Sequence, residues 1–209
     1  MIYLIGGPPR CGKTTLAREL SRRLAIPYVP ADYLMSVITP YIPREDMKER
    51  LPHWYARVKT EKSNDRLYAE YTPQEIVDGY LVEAESYWPG IKNFIVYALH
   101  DEQDFIIEGA QLRPDLVRAL LAAEGEERFK ALFLCKSGED IVSGLKASQV
   151  PGDWAQRDTS DETYPKIAQM IETYSAMIRE GCLRCGLPTL DTSDDFPRLI
   201  EEAVAVLVS

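Results

Sequence analysis

The chain opens "MIYLIGGPPRCGKTT", and this stretch constrains the fold more than any other. Ile2 to Ile5 is an unbroken apolar run, the pattern of a strand buried on both faces, as in a parallel sheet. Lys13 to Ala25 then carries Leu16, Leu20 and Leu24 at four-residue spacing, the single apolar stripe of an amphipathic helix. Between them Gly7-Pro8-Pro9-Arg10-Cys11-Gly12-Lys13-Thr14 satisfies G-x-x-x-x-G-K-[ST] in full.

Each position in that loop has a phosphate-binding reason. The glycines let the backbone curl so that several N–H groups converge on one anion. Lys13 adds a point charge for the β- and γ-phosphates, and the Thr14 hydroxyl suits Mg²⁺. The helix starting at Lys13 turns its positive end to the same place. The strand before the loop and the helix after it supply the context the motif requires. The expected ligand is ATP with Mg²⁺, held by Gly7, Pro8, Pro9, Arg10, Cys11, Gly12, Lys13, Thr14 and Thr15.

Further short apolar segments alternate with helical ones. "IPYVPAD" reads as a second strand with Asp32 at its C-terminal end, "DFIIEG" as a third, "KALFLC" as a fourth and "LPTLDTS" as a fifth. This alternation predicts a parallel three-layer α/β domain spanning 1–209. Residues 33–70 are polar, rich in Arg and Lys and poorly periodic, as in a helical insert. "YTPQEIVDGYLVEAESYW" is a helix with Thr72 as N-cap, Pro73 at its first position and Glu75 closing a capping box. "WPG" should end it, and "IKNFIVYAL" should form a separate short helix. Residues 136–145 read as helical, and Lys146 to Thr159 as a loop long enough to carry function. A long helix should follow, capped by Thr159 with Glu162 and ended by Gly181 or Gly186. Asp195 to Val208 is the closing helix.

A formal charge of −9 disfavours nucleic acid and anionic membrane as partners. No apolar run reaches the roughly 18 residues of a membrane span, and the apolar start is too short for a signal peptide; the expected location is the cytoplasm. Cys182 and Cys185 form a lone C-x-x-C without the further ligands a zinc site needs, at the wrong end of a helix to lower a thiol pKa. Packing is the expected role.

Ligands of open α/β sheets bind beyond the carboxyl ends of the strands, so strand ends are where chemistry is expected. Asp32 could orient an acceptor hydroxyl or stand near Mg²⁺, or else cap the next helix. Glu108 ends "FIIEG" and is the candidate second acidic group for Mg²⁺. Arg113 and Gln111 follow near the same mouth. Arg157, in the long loop, is the candidate lid cation covering the transferred charge, with Lys146 beside it. Thr192, between Asp191 and Ser193, could meet an adenine edge or cap the last helix. Arg44, Arg50, Arg57 and Arg66 would suit an acidic acceptor, although Glu45, Asp46 and Glu49 interleave with them as on a solvated face. His53 and His100 fall at no strand end and receive no chemical role.

Through "GGPPRCGKTT", "PADYL", "FIIEGAQLRP" and "LPTLDTSDDFPRLIEEAV", the chain resembles P-loop kinases of the nucleoside-monophosphate-kinase group. "IIEGAQLRP" is most similar to 2-phosphoglycerate kinases, and Asp32 resembles the Asp of zeta-toxin and chloramphenicol-phosphotransferase-type kinases. The resemblance implies five parallel strands in the order 2-3-1-4-5, an acceptor insert at 33–90 and a lid at 146–160. It departs from adenylate kinases, which carry Asp-Gly-Phe-Pro-Arg where this chain has Glu108-Gly109-Ala-Gln-Leu-Arg. The expected activity is ATP/Mg²⁺-dependent phosphoryl transfer to a small-molecule acceptor, with Lys13, Asp32, Glu108 and Arg157 as catalytic residues and Thr14, Glu108 and Asp32 at the metal. The alternatives are a nucleoside or nucleotide kinase, and a regulatory P-loop protein with slow hydrolysis.

Overall fold

The computed structural model describes residues 1–138, 140–150, 152–193 and 196–208. Five strands form one sheet: β1 (Ile2–Gly6), β2 (Tyr28–Pro30), β3 (Phe105–Gly109), β4 (Phe129–Cys135) and β5 (Thr189–Asp191). All neighbours pair in parallel, in the order β2-β3-β1-β4-β5, as the resemblance implies.

Period-two alternation along the strands sorts their side chains onto two faces. Ile5, Ile106, Leu132 and Leu134 pack with Leu16 and Leu20 of α1 (Lys13–Leu24) and with Ile200, Val204 and Leu207 of α10 (Phe196–Val208). Leu4, Phe105, Ile107 and Phe133 face the other way. They pack with α6 (Pro73–His100), α7 (Pro114–Glu124) and α9 (Tyr164–Cys185) through Ile91, Ile95, Val117, Ile171 and Tyr174. Helices on both faces explain why the central strands read as continuous apolar runs.

Between β2 and β3 lie α2 (Ala31–Ile38), α3 (Met47–Arg50), α4 (Pro52–Lys59), α5 (Asn64–Glu70) and α6. The helical reading of 33–70 therefore holds, and the Thr72–Glu75 capping box forms as expected. "WPG" does not break α6, which runs unbroken for 28 residues with Pro89 inside it. An interior proline costs about 3 kcal/mol. Tyr87 before it and Ile91, Ile95 and Leu99 after it are all buried on the core side, and their burial, roughly 1.5–3 kcal/mol each, outweighs that cost.

Other boundaries also shift. β2 ends at Pro30, and Asp32 sits in the first turn of α2 instead of at a strand end. α8 covers Asp140–Lys146. α9 begins at Tyr164 with Thr163 at its N-cap, because the Thr159 hydroxyl is used elsewhere, donating to Arg157 O at 3.2 Å and accepting from Asn64 Nδ2 at 2.8 Å. Gly186, in the left-handed region at φ 64°, ends α9; Gly181 lies within it. Cys182 is buried in the last turns of that helix, and neither it nor Cys185 is bonded in a disulfide. Asp195, the expected start of the closing helix, lies outside the described residues. Among the described residues, no helix is long and apolar enough to cross a membrane.

Candidate active site

The carboxyl ends of β1 and β3, the start of α1 and the helices after β2 enclose a cleft of about 740 Å³. Pro9, Arg10, Gly12, Lys13, Thr14 and Thr15 line it. Gly7, Pro8 and Cys11 lie buried beneath. Gly12 takes φ +91°, and a Cβ there would come within 2.3 Å of the Phe196 ring, so only glycine fits. Arg10 also adopts positive φ, at 68°, an uncommon conformation for such a residue. Cys11 Sγ donates to Pro8 O at 2.7 Å. Burial pushes its thiol up to about 11, against the pull of Lys13, so the loop carries no thiolate to oppose a phosphate.

Lys13 is buried and its Nζ donates to Pro8 O at 2.6 Å. Thr14 Oγ1 donates to Glu108 Oε1 at 2.8 Å. Parallel pairing of β1 with β3, with Ile5 opposite Glu108, brings these residues together. Glu108 is 5% exposed. Burial raises its pKa, while Lys13 and the Thr14 hydrogen bond act in the opposite direction and Asp32 adds to the rise. Lys13, Thr14 and Glu108 thus form one contiguous group.

Asp32 stands on the far wall of the same cleft, exposed, with Gln111 Nε2 at 3.4 Å from its Oδ1. Gln111 is buried, its Nε2 also meets Met35 Sδ at 2.6 Å, and its Oε1 has no partner. Arg113 does not line the cleft; it pairs with Glu85 and Asp115.

The remaining predicted residues fall further off. Arg157 is exposed and outside the cleft lining, although close enough to Arg57 for its charge to disfavour that of Arg57. Lys146 pairs with Asp161 at 2.7 Å, away from the cleft. Thr192 is buried and donates to Cys11 O at 3.1 Å and Cys135 O at 3.0 Å, tying the phosphate loop to β4. Of the insert arginines, only Arg57 lines the cleft. Arg66 pairs with Glu61, and Arg44 and Arg50 are exposed.

Several cleft residues were not picked out as site residues from the sequence. Lys136, directly after β4, lines the cleft and is found by the same strand-end rule that finds Glu108. Phe196 lies over Gly12. Behind the lining, Asp153, whose side chain is 2% exposed, places Oδ2 2.8 Å from Arg10 Nη1. That oxygen accepts no well-aligned hydrogen bond, so the attraction is chiefly Coulombic. His53 also lines the cleft; its only sequence signal is its spacing of four from Arg57 on one helix.

No family model matches the chain. A mevalonate-3-phosphate 5-kinase of Thermoplasma acidophilum is 30% identical over 119 residues, covering 56% of this chain and 54% of that protein. A 2-phosphoglycerate kinase of Pyrococcus horikoshii is 31% identical over 163 residues, covering 74% of this chain and 50% of that protein. The chain is a relative of the small P-loop kinases. It spans about half the length of these two relatives. A gluconokinase from Sinorhizobium meliloti superposes over 99% of this chain and 90% of that one, with a TM-score of 0.52 and 11% identity, a likeness of fold.

Proposed function

We propose that the protein transfers the γ-phosphoryl group of ATP, with Mg²⁺, to a small anionic acceptor. The observation that carries this is the Thr14–Glu108 hydrogen bond beside Lys13, at one end of a cleft that continues to Asp32 and Gln111. A nucleotide-binding protein without an acceptor has no need of that extension of the cleft.

The residues fit Mg²⁺. Among the described residues, no group of three or more His, Cys, Asp or Glu is gathered as a closed metal cage. Mg²⁺ characteristically uses one or two carboxylates, waters and the substrate phosphates. Thr14 and Glu108 would hold it, with Asp32 within the same chamber. When bound, the metal neutralises charge developing on the transferred group.

Lys13 and the loop N–H groups bind the β- and γ-phosphates. Phe196 gives the nucleotide an apolar surface beside Gly12. Asp32, held by Gln111, orients the acceptor hydroxyl and accepts its proton as the oxygen attacks phosphorus. Lys136 covers the transferred charge from β4, and Arg157 reaches it as the loop over 146–160 closes and excludes water.

The test is ADP release by the purified protein with ATP, Mg²⁺ and a panel of hydroxylated metabolites and nucleosides. Acceptor-dependent release that falls about 100-fold in Lys13→Ala supports the proposal. Tight nucleotide binding without transfer to any acceptor would contradict it. A response confined to nucleosides or nucleotides would select the narrower kinase class.

A further inference from the structure

Arg57 lines the cleft as a cation without a carboxylate partner among the described residues. It is partly buried. Its Nη1 donates to Asn64 Oδ1 at 2.6 Å and its Nη2 to Lys62 O at 2.9 Å, both neutral acceptors. By contrast, Arg10 has Asp153 and Arg113 has two carboxylates. Burial holds the Arg57 guanidinium below its ordinary range, although the neighbouring Tyr80 and Tyr68 act the other way, and the like charge of Arg157 adds to the depression. Two guanidinium groups brought near each other, one of them partly desolvated, are costly unless an anion joins them.

His53 lies one helical turn before Arg57 on α4, so both face the same side, and both line the cleft. Three residues of α6 hold the ring. Gly79 lets the helices approach: a Cβ there would sit 3.1 Å from His53 Cβ and 3.2 Å from His53 N. Tyr80 stacks on the imidazole at 4.0 Å between centroids. Glu83, 2% exposed, places Oε2 3.6 Å from His53 Nδ1, and its Oε1 accepts from the Trp54 N–H. With Nδ1 turned to Glu83, Nε2 is the ring's remaining polar atom. Tyr68 and Tyr80 also line the cleft. Burial holds both phenols above their ordinary range, so they remain neutral O–H donors.

We propose that His53 and Arg57 form a seat for a second, non-reacting anionic group on the acceptor, a phosphate or carboxylate carried apart from the hydroxyl that is phosphorylated. The acceptor class is then a phosphorylated or carboxylated hydroxy compound. This rests on the kinase reading and deepens it: Asp32 and Gln111 meet the reacting end, and the α4 seat meets the anionic end.

The test uses the intact protein with ADP and Mg²⁺ bound, so that added anion does not report on an empty phosphate loop. The chain has two histidines, so imidazole NMR signals come from His53 and from the exposed His100 at the end of α6, which serves as a control. Inorganic phosphate and acetate are titrated separately. One of them should move the His53 signals saturably and leave His100 unchanged; which one does so distinguishes a phosphate-bearing from a carboxylate-bearing acceptor. Arg57→Gln should weaken that binding about tenfold or more with ADP affinity unchanged, and Arg57→Lys should recover part of it. A His53 signal indifferent to both anions, or a response that Arg57→Gln leaves intact, overturns the seat. Failure of the kinase reading would look different: ADP would not bind, or no acceptor would be turned over.

Discussion

Thr14 on α1 donates to Glu108 on β3 at 2.8 Å, joining the residue after the loop lysine to the carboxylate that ends the third strand. If this pair prepares the metal position, its two halves fail differently from Lys13. Glu108→Gln keeps an acceptor for the Thr14 hydroxyl but loses the charge. It should lower kcat about 100-fold and change ATP affinity little. Steady-state kinetics beside equilibrium nucleotide binding checks this.

Gly12 is constrained twice, by φ +91° and by the Phe196 ring 2.3 Å from the position of a Cβ. Gly12→Ala should weaken ATP binding at least about tenfold, since a strained left-handed residue alone costs about 1–3 kcal/mol. Adding Phe196→Ala should relieve the contact, but it leaves the strain and removes the apolar surface offered to the nucleotide. Calorimetric titration of both variants would then find the double variant only partly recovered.

Asn64 is fully buried and joins α4 to the loop before α9. Its Oδ1 accepts from Arg57, its Nδ2 donates to Trp154 O and to Thr159 Oγ1, each at 2.8 Å, and its N–H donates to Arg157 O at 3.3 Å. Asn64→Ala leaves several part-buried groups unpaired and should cost about 2 kcal/mol in urea unfolding. It should also raise acceptor KM, because Arg57 loses its support. Unchanged KM in a folded variant would show that the two segments act independently.

Asp65 makes the neighbouring link. Its Oδ1 accepts from the N–H and the hydroxyl of Ser160, each at 2.9 Å. The Ser160 backbone N–H is the largest influence holding this carboxyl below its ordinary range, with the Thr163 hydroxyl next. The unfolded chain therefore takes up a proton at higher pH than the folded one. The contribution is present above about pH 3.9, the unperturbed value, and is lost as pH falls through the lower folded value. Asp65→Ala should destabilise by about 1 kcal/mol at neutral pH, solvent exposure keeping it small. That gap should close in acid unfolding series.

The features legible in the sequence were those set by local pattern. The phosphate loop needs its spacing and its flanking strand and helix, all within the opening residues. The sheet follows from apolar runs alternating with helical stripes. Glu108 was legible because one carboxylate at the end of an apolar strand is placed by the sheet itself. The seat at His53 and Arg57 was not, because it depends on α4 docking against Gly79, Tyr80 and Glu83 of α6, a tertiary contact with no local signature. Pro89 misled for the same reason: packing on both sides of it carries the helix through. Thr192 reads as a mouth residue from its position after β5, yet its hydroxyl is spent on carbonyls of the loop and β4.

The central claim is transfer to an acceptor instead of to water. The most direct measurement follows the label from γ-labelled ATP in the presence of Mg²⁺ and a phosphorylated or carboxylated hydroxy compound that stimulates ADP release. The label should appear in a new phosphoester, and ADP and phosphoester formation should fall together in Lys13→Ala. Label recovered only as inorganic phosphate, at a rate indifferent to every acceptor, would contradict it.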